Sequence, residues 1–333
     1  MAKGDTATPG EFDLIRRYFG PLAAQSAESL GLSDDAALIK PPAGMEMAVT
    51  TDMLVAGIHF RDDDPPETVA AKLLAVNLSD LAAMGADPHA YTLAAAWPRG
   101  MDTEWIADFA DGLGRAQAAS GTVLIGGDTV ATSGPLTLSL TAFGYVETGK
   151  ALHRAGAAAG ERIYVTGNIG DGAAGLRVLN GELVMDSDES GSAYVIGRYR
   201  APTARTDVGR QLAGLASAAI DISDGLLADL RHIAETSRVD MEINVPAVPL
   251  SAAVTGIVTA DRSALGFVLG GGDDYELAFT APADHAARLA QVAETTGVPI
   301  TEIGTVTGGE GQIRCRDDAG KEFVPETAGY RHF

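Results

Sequence analysis

The residues in this sequence best suited to chemistry are aspartates, and they recur where apolar runs stop. Asp34 and Asp35 precede Ala36–Ile39, Asp52 follows Ala48–Thr51, and Asp128 follows Leu124-Ile125-Gly126-Gly127. Asp221 and Asp224 bracket Ile222-Ser223 after Ala218–Ile220, while Asp273-Asp274 follow Leu269 and three glycines. Aspartate is also a common turn and N-cap residue, because its carboxylate accepts nearby backbone N–H groups. Taken singly, each position fits that role, and Asp224 fits the cap of a helix carrying Leu226, Leu227, Leu230 and Ile233. Asp80 does not. Val69, Leu73, Val76, Asp80 and Met84 form one stripe of a helix whose opposite side carries Leu74, Leu78 and Leu81, so the helix is expected to be largely buried. An ionised carboxylate in such a helix is costly unless it is paired or holds a cation.

Short, hard oxygen ligands, with Thr50 and Thr51 beside Asp52, suit Mg²⁺ far better than Zn²⁺. The six histidines, His59, His89, His153, His232, His285 and His332, show no zinc-ligand spacing. Net charge is −21, from 24 basic and 45 acidic side chains, a balance that disfavours nucleic acid as a partner. The same charge would repel an anionic substrate unless cations bridged the acidic side chains to it. An acidic cleft with Mg²⁺ is one recurring arrangement for phosphoryl transfer.

The elements that must position these residues alternate in type. Met47–Thr51, Val123–Ile125, Leu136–Phe143, Arg162–Thr166 and Phe267–Leu269 read as strands. Glu67–Met84, Thr103–Ala119, Asp171–Leu179, Asp224–Thr236 and Pro282–Thr295 read as helices. The fold class is therefore α/β or α+β. A length of 333 residues predicts about two domains, and the Ala/Gly stretch Ala155–Gly160 separates an N-terminal half, 1–150, from a C-terminal half, 151–333. Glu182–Ser192, with four acidic residues, reads as a surface loop. Cys315 is the only cysteine, which excludes an internal disulfide and a thiolate metal cluster. With no apolar signal core in Met1–Gly10 and no apolar run of about 18 residues, a soluble, cytoplasmic protein without membrane contact is expected.

Two phosphate-binding motifs are approached and not met. Gly144–Lys150 has the glycine and lysine of a P-loop, but Ala151 lacks the hydroxyl that would bind Mg²⁺. Gly170-Asp171-Gly172-Ala173-Ala174-Gly175 spells a dinucleotide fingerprint after a strand, yet a polar loop stands where a second parallel strand should follow. A tight strand-to-helix turn accounts for it.

In order along the chain stand Gly10-Glu11-Phe12, Asp34-Asp35-Ala36, Thr51-Asp52 with Gly57 and His59, and Asn77-Leu78-Ser79-Asp80-Leu81-Ala82-Ala83-Met84-Gly85-Ala86. Then follow Gly126-Gly127-Asp128-Thr129, Arg154-Ala155-Gly156-Ala157, Asp221-Ile222-Ser223-Asp224-Gly225-Leu226, Gly272-Asp273-Asp274-Tyr275-Glu276-Leu277 and the terminal Gly329–Phe333. Across nearly the whole length this series resembles the thiamine-monophosphate kinase family. That family lies in a wider group with aminoimidazole ribonucleotide synthetase and selenophosphate synthetase. The resemblance implies a dimerising N-terminal α/β domain with a mixed sheet, a C-terminal α+β domain and a homodimer. It implies ATP-dependent phosphorylation of thiamine monophosphate assisted by several Mg²⁺ ions. By the same resemblance Asp35, Thr50, Thr51, Asp52, Asp80, Asp128, Asp221 and Asp224 serve the metal ions. Gly127, Asp128, Arg154 and Ser223 match nucleotide positions, and His59, Asp273 and Tyr330 match positions at the thiamine phosphate. Ser33, Asp273 and Tyr330 stand where the family favours glycine, glutamate and tryptophan. The residues leave other roles open: Ser223 also suits an N-cap, Arg154 a surface position, His59 a satisfied histidine and Tyr330 a docking aromatic. No covalent nucleophile or general base is expected. The rivals are another ATP-dependent enzyme of the wider group and a non-catalytic, cation-dependent dimeric binding protein; selenide chemistry usually brings a reactive cysteine or selenocysteine near the N-terminus, where this chain has none.

Overall fold

The computed structural model describes residues 10–185, 189–324 and 329. Tyr330, expected at the substrate, and Asp186 and Asp188 of the acidic segment lie outside the described residues. The chain divides into two compact units. One comprises residues up to Asn77 together with Pro88–Tyr145; the other comprises Leu78–Asp87 together with the chain from Val146 onward. A single cut at 150 does not express the interleaving of Leu78–Asp87.

The first unit opens with α1 (Glu11–Leu14), a π-helical turn at Ile15–Phe19 and α2 (Gly20–Ala23). There follow β1 (Met45–Val55), α3 (Pro66–Ala83), β2 (Asp87–Pro98), α4 (Thr103–Ser120), β3 (Val123–Thr132) and β4 (Thr137–Glu147). The sheet order is β1-β4-β2-β3, so β1 and β3 are its edges. β2 and β3 run parallel, which requires a crossover, and α4 supplies it. Asp102 caps α4 by accepting the Glu104 N–H, and left-handed Gly121 ends it. Phe109 of α4 is fully buried, its ring 5.8 Å from that of Trp97 and 5.6 Å from that of Trp105. Gly112 lets α4 approach the start of α3: a Cβ there would sit 2.5 Å from the Glu67 Cα.

α3 is apolar on both sides, as its sequence predicts, and Val69, Leu73, Leu74, Val76, Leu78 and Leu81 are all buried. Asp80, however, is partly accessible. The expectation of a carboxylate sealed in an apolar helix is corrected: this side chain reaches solvent from an otherwise covered element.

The second unit holds β5 (Arg162–Thr166), α5 (Asp171–Leu179), α6 (Glu189–Arg200), α7 (Thr206–Leu212), β6 (Ala218–Asp221), α8 (Leu226–Ser237) and β7 (Val239–Asn244). α9 (Ala252–Ala260), α10 (Leu265–Gly270), β8 (Leu277–Ala281), α11 (Ala286–Thr296), β9 (Ile300–Gly308), β10 (Ile313–Arg316) and β11 (Glu322–Phe323) complete it. Its seven-stranded sheet has the order β11-β10-β7-β9-β5-β8-β6. β10 pairs parallel with β7 and antiparallel with β11, so the sheet is mixed. The strand period of two distributes side chains to two cores. Ile163 and Val165 of β5 join one with Leu226, Leu230 and Ile233 of α8. Tyr164 joins the other with Phe279 of β8, Val208 and Leu212 of α7 and Leu289 of α11. Cys315 is buried in the first of these cores, and burial pushes its thiol up to about 11.

Several sequence expectations change. Phe267–Leu269 is not a strand but part of α10, because three apolar residues carry no period and here all sides of the segment are covered. Glu189 opens a helix instead of lying in a loop. Asp52 and Asp128 lie inside β1 and β3, both longer than their apolar cores, and not at strand ends. Among the described residues no helix is long and apolar enough to cross a membrane.

Substituting Gly112→Ala forces α4 away from α3. Overpacking of this kind costs about 1–3 kcal/mol, so the variant is expected to melt several degrees lower in thermal denaturation; an unchanged Tm would show that the close approach is absent.

Candidate active site

In the first unit, a cavity of about 420 Å³ is lined by Asp34, Asp35 and the Gly126–Thr129 stretch, with Phe19, Leu93 and Phe143 among its apolar walls. Asp35 and Asp128 are exposed on it. Each carboxylate organises its own turn of chain: Asp34 Oδ1 accepts the Asp35 N–H at 3.1 Å, and Asp128 Oδ1 accepts the Thr129 N–H at 2.8 Å. Gly127 is obligatory there, since a Cβ would lie 1.9 Å from the Leu93 carbonyl oxygen of β2. The glycine pair that reads as a turn is thus a close approach of two parallel strands.

Asp52 is held from α3, where the Asn77 amide oxygen accepts its N–H at 3.0 Å and the Asn77 Nδ2 donates to the Leu73 carbonyl at 3.0 Å. Beside it, the Thr51 hydroxyl donates to the Leu140 carbonyl at 3.1 Å and accepts from Thr141 at 3.1 Å. Thr50, its neighbour in β1, is partly buried. Asp52 and Asp128 stand on opposite edges of the sheet, three strand spacings apart, or roughly 14 Å along a flat sheet. His59 follows β1; its Nδ1 accepts the Val55 N–H at 3.0 Å, so a neutral ring carries its proton on Nε2.

In the second unit, Ser79 of α3 donates to buried Asp221 at the end of β6 (2.8 Å), and Asp80 is the next residue. The loop after β6 and the loop before β8 interlock. Asp273 donates its N–H to the Ser223 carbonyl at 3.0 Å, and Tyr275 donates to the Ile222 carbonyl at 2.8 Å. Asp221, Ser223, Asp224 and Asp273 are therefore brought together. Arg154 runs beside β6, where the neighbouring His153 carbonyl accepts the Ala219 N–H at 2.9 Å, and its own carbonyl accepts from Thr236 (3.2 Å) and Ser237 (3.3 Å) at the C-terminal end of α8.

Neither Asp224 nor Ser223 caps α8. The cap residue is Gly225, and Asp229, within the first turn, accepts the N–H groups of Ser223, Asp224 and Gly225 on one oxygen, each at 3.1 Å. Burial, with the Asp224 charge adding to it, pushes the Asp229 carboxyl up to about 7 against the pull of those donors. Sequence reasoning missed Asp229, Asn77 and Ser79 as organisers of the site. An acid in the first helical turn after a glycine was the available signal for Asp229.

The fingerprint-like turn is also explained. Asp274, fully buried, accepts from Gly170 N–H at 2.8 Å and Gly172 N–H at 3.2 Å, so a carboxylate of the chain itself occupies the N-terminus of α5. Burial pushes this carboxyl well above the usual range. Gly172 and Gly175 admit the neighbouring backbone: a Cβ would lie 2.2 Å from the Asp273 carbonyl and 2.1 Å from that of Val195.

The candidate donors are carboxylate and hydroxyl oxygens, and accessible Asp35 and Asp128 share one cavity wall, a set that fits Mg²⁺. Among the described residues no three His, Cys, Asp or Glu side chains form a ready-made metal group. That is the ordinary condition for Mg²⁺, which takes one or two carboxylates, keeps waters and completes its shell with substrate phosphates.

Residues 33–146 match the family described as AIR synthase related protein, N-terminal domain, and residues 158–316 match the corresponding C-terminal domain. The thiamine-monophosphate kinase of Salmonella typhimurium is 44% identical over 326 residues, covering 97% of this chain and 98% of that protein. The crystal structure of thiamine-monophosphate kinase from Stenotrophomonas maltophilia is similar with a TM-score of 0.83 at 40% identity, over 94% of this chain and 98% of that one. A structure described as AaThiL complexed with AMPPCP and TMP gives 0.77 at 30% identity, over 97% and 96%. On both sequence and fold, the chain belongs to the AIR synthase related family and, within it, to the thiamine-monophosphate kinases.

Proposed function

We propose that this chain transfers the γ-phosphoryl group of ATP to thiamine monophosphate, giving thiamine diphosphate, by direct in-line displacement. The observation that carries the activity is full-length identity of 44% with a thiamine-monophosphate kinase, joined to likeness with a relative's complex described as holding AMPPCP and TMP. The acceptor is a phosphate monoester whose second pKa is about 6, so its attacking oxygen is already anionic at neutral pH. A general base is unnecessary. The protein's work is to bring two anions together in line and hold them.

In this reading the first 150 residues carry the dimer contact and most of the nucleotide and metal ligands, and residues 151–333 form a C-terminal α+β domain that adds Arg154, Asp221, Ser223 and Asp224. Gly127, Asp128, Arg154 and Ser223 are assigned to the nucleotide, and His59, Asp273 and Tyr330 to the thiamine phosphate. Asp35, Thr50, Thr51, Asp52, Asp80, Asp128, Asp221 and Asp224 would hold several Mg²⁺ ions. When bound, Mg²⁺ neutralises phosphate charge that otherwise repels the acceptor. The compartment is the cytoplasm, where ATP is abundant.

The acting form is a homodimer closed through the first unit. Its four-stranded sheet has two long edges, β1 and β3, and an exposed edge is a template for pairing. Met45, Val49 and Met53 share one exposed face of β1, and Val130 is exposed on β3. Edge-to-edge pairing of two copies gives eight strands, a number that closes into a barrel. It also sets Asp52 of one protomer toward Asp128 of its partner, across a gap that one flat sheet leaves open.

Four outcomes are expected. With Mg²⁺ and ATP, ADP release requires thiamine monophosphate and is not supported by thiamine or a ribonucleotide acceptor; turnover of the ribonucleotide instead would transfer the chain to another activity of the wider group. Asp52→Asn and Asp128→Asn each lower kcat by about 100-fold or more with little change in Tm; near-normal activity at saturating Mg²⁺ would remove both from the metal site. Sedimentation gives twice the 34.2 kDa chain mass. Unfolding and refolding the two inactive variants together restores about a quarter of wild-type activity, because half of the dimers regain one intact site; no restoration would place both aspartates in one protomer's site.

A further inference from the structure

The loop between α10 and β8 contains two non-glycine residues in the left-handed region, Asp273 at φ +69° and Tyr275 at φ +52°. Each costs on the order of 1–2 kcal/mol and persists only where its surroundings impose it. The residues that impose it lie between and after them. Asp274 is pinned through its carboxylate to Gly170 and Gly172. Glu276, also buried, accepts a bidentate pair from Arg205, at 2.6 Å from Nε and 2.5 Å from Nη2, and a bond from the Thr166 hydroxyl at 2.7 Å.

Arg198, near the end of α6, joins the two anchors. Its Nη2 donates to the Asp274 carbonyl at 2.8 Å and to Glu276 Oε1 at 3.0 Å. One side chain thus holds both the main chain of the strained loop and the carboxylate that ends it. A buried Arg–Glu–Arg arrangement is a poor device for stability, because desolvation consumes most of the attraction and apolar residues of similar volume do as well. It is a good device for fixing direction, since a planar guanidinium binds only in set orientations.

We propose that Arg198 is a positioning residue for the acceptor: it holds the Asp273–Tyr275 segment in its left-handed form and so preorganises the thiamine-phosphate side of the site. The inference rests on the reading above that Asp273 faces the acceptor. It assigns α6, which begins in the segment that reads as a surface loop, to substrate recognition.

The test is steady-state kinetics with both substrates varied, on Arg198→Met, Arg198→Lys and Asp273→Ala, each checked by thermal melting. Arg198→Met is expected to raise KM for thiamine monophosphate about tenfold while KM for ATP stays within about twofold. Arg198→Lys keeps the charge but not the fork and recovers part of the loss. Should the methionine variant fail to fold, the lysine variant carries the test with a smaller rise on the same side. Unchanged KM for thiamine monophosphate, or equal rises for both substrates, overturns the proposal. If Asp273→Ala raises that KM while the Arg198 variants do not, the positioning role alone fails; if Asp273→Ala leaves it unchanged, the placement of Asp273 fails and the positioning role falls with it.

Discussion

Two polyanions must meet on a protein that is itself an anion, and that constraint organises the molecule. A net charge of −21 would repel ATP and thiamine monophosphate alike. In the proposed function the carboxylates assigned to the metal ions hold cations, which neutralise the substrates' charge. The supporting structure then has the task of keeping acidic side chains oriented. Its means are local hydrogen bonds: the Asn77 amide oxygen accepts the Asp52 main-chain N–H, the Thr129 N–H donates to the Asp128 carboxylate, and the Ser79 hydroxyl donates to that of Asp221. At Asp128 and Asp221 a neutral donor orients the carboxylate without cancelling its charge.

The arginines follow a different rule in the second unit. Arg198 and Arg205 do pair with an acid, Glu276, but this acid is buried and stands behind the loop that carries Asp273. Cationic pairing here serves the scaffold behind the loop.

Much of the fold was legible in the sequence because its strongest signals are periodic. α5 begins and ends where the sequence places it, and α3 and α4 lie within a residue of expectation. β2 was not foreseen: Tyr91, Thr92 and Trp97 favour a strand, but the Ala94–Ala96 run between them and the prolines near both ends obscure it. The aspartate motifs were visible, but their context was not. Asp52 and Asp128 seem to end apolar runs only because the strands continue with exposed and small residues, and Gly126-Gly127 imitates a turn. Asp229 was marked only by its place in the first turn after a glycine, and Asp274 and Glu276 stood in a visible motif that did not show what they hold. Each acts on backbone or side chains that are remote in sequence or lie in a loop whose shape must be known first.

The carboxylate of Asp274 at the start of α5 has a metabolic consequence. Dinucleotides such as nicotinamide cofactors are abundant, and a glycine-rich turn opening a helix is the standard berth for their diphosphate. Here that berth is filled by the chain's own side chain, so a diphosphate would have to displace a covalently tethered, buried carboxyl group. The turn keeps the geometry of a cofactor socket and is stoppered from within, which leaves the protein blind to a large pool of compounds that share its substrates' charge.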